Sequence, residues 1–234
     1  LVPPRGRAVL APARHGPPSP PRTPPLHPRT CLAQDSPVTT PWHHDDCFAS
    51  DLRSGDPYEL SDGRAIYCAP TGGDGSRGTL LGGEVLSTDP AVKEAGIDAG
   101  YSARPKDLRA PDVAVGNVPD APGWIAGAPP LAVEYASVGQ DEKALREKIA
   151  DLLRSGTRWV WVVRLTSPRR HDEVHESGQP VALRFPGQLL TAPDVLQNPV
   201  PVEALYDREA AHEVTLRNLL QRKGYASLDA LRSE

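Results

Sequence analysis

The chain has 234 residues, with 26 basic and 30 acidic side chains, a formal net charge of −4, 27 prolines and no methionine. Residues 1–40 hold five arginines and one acid, so the remainder carries 21 basic and 29 acidic groups and lies near −8. That balance excludes a protein that coats nucleic acid through a broad basic face.

The first 41 residues contain twelve prolines, paired at 3–4, 17–18, 20–21 and 24–25. Such a segment buries too little apolar surface to offset its ordering entropy, so a disordered or polyproline-like tail is expected. The leucine at position one, in a chain without methionine, reads as a fragment or a non-ATG start. His43-His44-Asp45-Asp46-Cys47 has metal-ligand residue types, but consecutive residues rarely converge on one ion and no second cluster stands at ligand spacing. Residues 56–60 read as a short helical turn, and Ser61-Asp62-Gly63 as the turn before a strand at 64–69. The glycine-rich run 72–78 lacks the Gly-Lys-Ser/Thr ending of a phosphate loop. It reads as a flexible connection into an apolar segment at 80–86. Residues 87–109 are poorly patterned, with a strand or hairpin expected near 100–103.

The central stretch carries the chemistry. Two Val-rich runs bounded by Pro and Gly, at 112–117 and 131–136, read as buried strands. Strand side chains alternate faces. Asp112 therefore shares a face with Ala114 and Gly116, and Glu134 with Ala132 and Ala136. Each acid lies on the small-residue face, which leaves room for a ligand, an ion or a packed helix. Two carboxylates ~4 Å apart repel by roughly 4 kcal/mol at an effective dielectric of about 20, and a hard divalent cation between them reverses that sign. The plainer alternative has Asp112 capping a strand and Glu134 paired with an arginine.

A helix is predicted over 141–155. At ~100° per residue, Leu145, Ile149, Leu152 and Leu153 form one apolar stripe. Lys148 lies at its margin and Lys143 points away. Lys148 can reach over the sheet toward the acids, or snorkel with its ammonium in water. A strand at 159–165 closes the unit.

Downstream, His171-Asp172-Glu173-Val174-His175 departs from the zinc-protease helix motif at its second position. It reads as a hairpin tip between the 159–165 strand and one at 181–185, turned through Ser177-Gly178. Residues 188–201 read as an extended Pro-rich linker. Residues 203–223 read as a helix closed by Gly224 at C′, and Ser227 starts a short final turn.

Asp112, Glu134 within Val-Glu-Tyr-Ala-Ser, Glu147-Lys148 on a helix, Gly156 and the strand from Trp159 together resemble the Uma-two family. These are endonucleases of the PD-(D/E)XK, restriction-endonuclease-like superfamily. Tyr58-Glu59-Leu60-Ser61-Asp62-Gly63 resembles the segment that opens that domain, so the resemblance runs over about 57–190. It implies an α/β fold with a central mixed β-sheet flanked by helices. The domains would be a disordered tail at 1–41, a nuclease domain at 42–200 and a helical C-terminal tail at 201–234.

The resemblance also implies a metal-dependent endonuclease acting on DNA. Mg²⁺ or Mn²⁺ would be held by Asp112 and Glu134 with the backbone carbonyl of Tyr135. Ala136 stands where the superfamily name places a lysine, and the family supplies that group from the following helix, which points to Lys148. Glu59 would orient the metal or substrate; its alternative is a first-turn glutamate favoured by a helix dipole. Asp74-Gly75 stands near the place where the family often carries His-Gly. The competing function is a catalytically inactive interaction protein on the same fold.

No apolar run approaches the ~20 residues of a membrane span, and the N-terminus lacks the apolar core of a secretory signal. An odd cysteine count points to a reducing compartment, hence the cytoplasm. DNA is the expected partner, no membrane is expected, and a homodimer is left open.

Overall fold

The computed structural model describes residues 47–166 and 170–233. The predicted tail at 1–41 and the residues His43 to Asp46 lie outside the described residues.

In chain order the elements are β1 (Tyr58–Ser61), β2 (Arg64–Tyr67), α1 (Gly73–Ser87), β3 (Ala95–Ile97), β4 (Tyr101–Ser102), β5 (Val113–Val115), β6 (Ile125–Ala126) and β7 (Leu131–Ala136). There follow α2 (Glu142–Arg154), β8 (Trp159–Arg164), β9 (His171–Glu176), β10 (Ala182–Arg184), β11 (Leu189–Leu190), β12 (Val200–Pro201), α3 (Arg208–Arg222) and α4 (Leu228–Arg232). Six strands make one sheet in the order β10-β9-β8-β7-β5-β3. Only the β7–β8 pair is parallel; the others are antiparallel, so the sheet is mixed. A parallel pair needs a crossover connection, and α2 supplies it.

The α/β fold with a mixed central sheet flanked by helices is as expected. Alternation along β7 and β8 divides the core. Val133, Tyr135, Trp161 and Val163 face α1 and the C-terminal elements, where Val85, Leu205, Ala211 and Val214 complete one apolar cluster. Ala132, Ala136, Val160 and Val162 face Leu145, Ile149 and Leu152 of α2. The small residues beside Glu134 thus make the bed on which α2 lies. Asp141 caps this helix by accepting from the Lys143 and Ala144 N–H groups, an arrangement that satisfies two of its otherwise orphaned donors.

Several elements differ from the sequence reading. Residues 58–61 form a strand, not a helical turn: β1 pairs with β2 through Asp62 and Gly63, at φ 49° and 82°. Positive φ at both central residues is what a two-residue hairpin of type I′ needs. The run from Gly73 is a helix, not a flexible connection. Gly78 and Gly82, one turn apart, give the Tyr135 ring its room: a Cβ at either would come within 2.7 Å or less of that ring or its hydroxyl. Tertiary packing there overrides the weak helix propensity of glycine.

The strand at 112–117 is shorter than expected, because Gly116 and Asn117 adopt φ 78° and 52° and end β5. Residues 171–176 are a full strand, β9, not a hairpin tip. Residues 188–201 are no mere linker: Leu190, Leu196 and Val200 are buried in the main core, and the Asp89 carboxylate accepts the Gln197 and Asn198 N–H groups at 2.9 Å. A 3-10 turn at Val202–Leu205 precedes α3 where one continuous helix was predicted. No helix among the described residues is long and apolar enough to cross a membrane.

Candidate active site

The site lies where β1, the segment leading into β5, β7 and α2 meet. In the β5–β7 register Val113 faces Val133, which sets Asp112 opposite Glu134. Asp112 stands one residue before β5, and its Oδ2 accepts the Tyr135 N–H at 2.6 Å. Glu134 is 5% exposed. Tyr135 points through the opposite face of the sheet, where its hydroxyl donates to the Leu205 carbonyl at 2.9 Å.

From α2, Lys148 reaches over the small-residue face, as one of its two sequence readings requires. Its Nζ stands 3.0 Å from Glu134 Oε2 and 3.0 Å from Glu59 Oε1, and it donates to the Ala110 carbonyl at 2.7 Å. An ammonium has three donors, and all three are engaged. Glu59 arrives from β1, so its helix-dipole alternative falls with the helical turn. Lys143, by contrast, is 82% exposed at its side chain.

The sequence reading missed two charged groups that adjoin this one, Arg109 and Asp151. Arg109 is 4% exposed. Its Nη1 contacts Glu59 Oε2 at 2.9 Å, and its Nε and Nη2 contact Asp151 Oδ2 at 2.9 and 2.5 Å. Asp151 also accepts from Ser61 Oγ at 2.6 Å and pairs with Arg154. The available signal was the spacing: Asp151 follows Lys148 by three, which places both on one helix face.

Burial and charge act against each other here. Burial would raise Glu59, but the Lys148 and Arg109 cations hold it below the usual carboxylate range. Burial raises Asp112, with Lys148 opposing. Burial also pushes Glu134 up, against the same ammonium. Burial alone would lower Lys148, yet Glu134, Glu59 and Asp112 outweigh it, so the lysine keeps its proton.

Glu134 Oε1 is buried without a hydrogen-bond partner. A desolvated carboxylate oxygen in that state is costly, and together with Asp112 it suits a cation that takes oxygen ligands. Among the described residues no group of three or more His, Cys, Asp or Glu side chains could hold a metal ion, so the acids of this site count as a pair. His171 and His175 do not gather a metal site either: their strand neighbour Glu173 pairs with Arg164 at 2.7 Å and with His175 at 3.1 Å. Asp74, where the resemblance leads one to look for histidine, sits in the first turn of α1 and bonds Ser137 at the end of β7.

A crystal structure from Anabaena variabilis ATCC 29413, described as "a putative nuclease belonging to DUF820", superimposes with a TM-score of 0.56 at 17% identity. The match covers 70% of this chain and 98% of that one. DUF820 is the Uma-two family, the one the sequence motifs resemble, and the likeness shows a shared fold. No family model matches the chain, and no curated protein matches it.

Proposed function

We propose that the chain is a metal-dependent endonuclease that hydrolyses DNA phosphodiester bonds in the cytoplasm. The observation that carries this reading is the ammonium of Lys148 set between Glu134 and Glu59, with Asp112 across the strand pair from Glu134. A fold shared with a protein described as a putative nuclease supports it.

Asp112, Glu134 and the Tyr135 carbonyl are the oxygen donors proposed for Mg²⁺ or Mn²⁺. When bound, such an ion would polarise the phosphate and lower the pKa of a water. The chain's own groups divide the remaining work. Lys148 keeps its proton and offers a fixed positive charge to the negative charge that develops on the phosphate. Glu59 holds that ammonium as a second carboxylate, at 3.0 Å. Burial of the site removes competing water and strengthens these interactions.

The net negative charge of the folded part leaves recognition of the DNA backbone to the positive charge that a bound divalent cation would supply. The experiment is incubation of closed circular DNA with the protein, with Mg²⁺ or with a chelator. Nicked and linear products that need the metal support the reading. Intact circles under both conditions leave the interaction protein.

A further inference from the structure

We propose that Arg109 is a positioning residue for Lys148, acting through Glu59, and that Asp151 is the anchor that allows it to act. The inference rests on the endonuclease reading only for its consequence in rate.

Lys148 ends a flexible four-carbon stem, so something must fix where its charge stands. Glu134 alone would draw the ammonium onto itself. Glu59 prevents that by supplying a second carboxylate oxygen at the same distance, 3.0 Å. Glu59 can do so only if its own carboxylate is held. Arg109 takes Oε2 at 2.9 Å, which turns Oε1 toward Lys148 and toward the Ala110 N–H at 3.2 Å.

The guanidinium is a rigid planar fork, so its aim is set by what its other edge grips. That edge grips Asp151 through Nε and Nη2. Asp151 is tied in turn to Ser61, two residues along β1 from Glu59. The chain of charges Asp151, Arg109, Glu59, Lys148, Glu134 therefore alternates in sign and returns to the strand from which Glu59 projects. Ala110 completes the lock, giving its N–H to Glu59 and its carbonyl to Lys148.

Removing Arg109 outright would strip one cation from each of two buried acids, leaving Glu59 to Lys148 and Asp151 to Arg154. Asp151→Asn, which removes the anchor's charge, is the better probe, and Arg109→Lys, which keeps the charge but loses the fork, is the second. The readout is acetylation of the native full chain by acetic anhydride, followed at Lys148 and Lys143 by mass spectrometry. Lys148 is expected to be protected in the unsubstituted chain. It should label about tenfold faster in either variant, because a charged hydrogen-bonded pair has been loosened, while Lys143 is unchanged. Val214→Ala, a core truncation on α3 (5% exposed), serves as a destabilised control and should leave Lys148 protected. Unchanged protection in both site variants, or equal deprotection in the α3 variant, overturns the proposal.

In a preparation that cuts circular DNA, Asp151→Asn should lower kcat about tenfold with KM unchanged. It should add no further loss in a Glu59→Gln background, because the two substitutions would break one path. Losses that multiply independently would overturn the path through Glu59. A chain that cuts nothing removes the endonuclease reading, and the labelling result still decides the positioning role.

Discussion

Lys148 Nζ stands 3.0 Å from Glu134 Oε2, while the other oxygen of that carboxylate is buried with no hydrogen-bond partner. One half of the carboxylate is thus matched by a charge from α2, and the other half is open. The lysine reaches Glu134 from α2, and Ala136, two residues along β7, carries only a methyl group on that face. The bed of Ala132 and Ala136 lets α2 lie close enough for Lys148 to reach that carboxylate.

Glu134→Gln should fold and should lose metal binding. Lys148 retains Glu59 and the Ala110 carbonyl, so no cation is left buried without a partner. The amide offers one neutral oxygen in place of a carboxylate, which a hard cation favours less. Titration of Mn²⁺ by calorimetry, with the melting temperature measured alongside, checks this. Binding equal to that of the unsubstituted chain would remove Glu134 from the proposed ligands.

Two neighbouring glycines of α1 should respond with opposite signs. A Cβ at Gly82 would stand 2.2 Å from the Tyr135 hydroxyl, whereas one at Gly83 meets the Ile97 side chain at 3.3 Å. Tyr135 is pinned by its bond to Leu205, while Ile97 is 48% exposed and can move. Gly82→Ala should therefore destabilise by about 1–3 kcal/mol through overpacking. Gly83→Ala should gain up to about 1 kcal/mol of helix propensity. Chemical denaturation of both variants measures the difference; two gains would show that Tyr135 is not wedged against α1.

Asp172 should give stability a pH dependence that Asp172→Asn removes. It projects from β9 into the main core with no exposed surface, and neither carboxylate oxygen has a hydrogen-bond partner. Burial, with a smaller contribution from the Glu203 charge, pushes it up to about 8 from an ordinary 3.8. Between those values the unfolded chain has released a proton that the folded chain still holds, so stability falls as pH rises through this window. The asparagine variant should accordingly gain in melting temperature over the unsubstituted chain from pH 4 to pH 8. Melting curves that stay parallel across that range would show that Asp172 is ionised in the fold.

The sheet was legible where hydrophobic pattern and geometry agreed. Val113, Val133 and Trp161 mark buried strands by composition, and the stripe of Leu145, Ile149 and Leu152 placed Lys148 at the edge of α2. At 58–61 Asp62-Gly63 is a strong hairpin signal, but Tyr58-Glu59-Leu60-Ser61 lacks the β-branched run that would mark the strand before it. Helix α1 was hidden because Gly75, Gly78 and Gly82 argue against a helix locally. For Gly78 and Gly82 the reason is the Tyr135 ring, which lies more than fifty residues further along the chain. Arg109 and Asp151 each look like an ordinary surface charge in the sequence, and only burial pairs them. The segment 188–201 looked like a linker because proline dominated its reading, whereas Leu190 and Val200 anchor it in the core.

The proposed role of Lys148 is to set its charge against the charge that develops as DNA is cut. Its most direct measurement is the initial rate of nicking of closed circular DNA in Mg²⁺ by the unsubstituted chain, Lys148→Ala and Lys143→Ala side by side. Loss of a preorganised charge aimed at the transition state should slow Lys148→Ala by about a hundred- to a thousandfold. Lys143, solvated on the far side of the same helix, should change the rate little and stability by less than about 0.5 kcal/mol. Equal, mild effects from both substitutions, in a preparation that cuts DNA, would contradict the account.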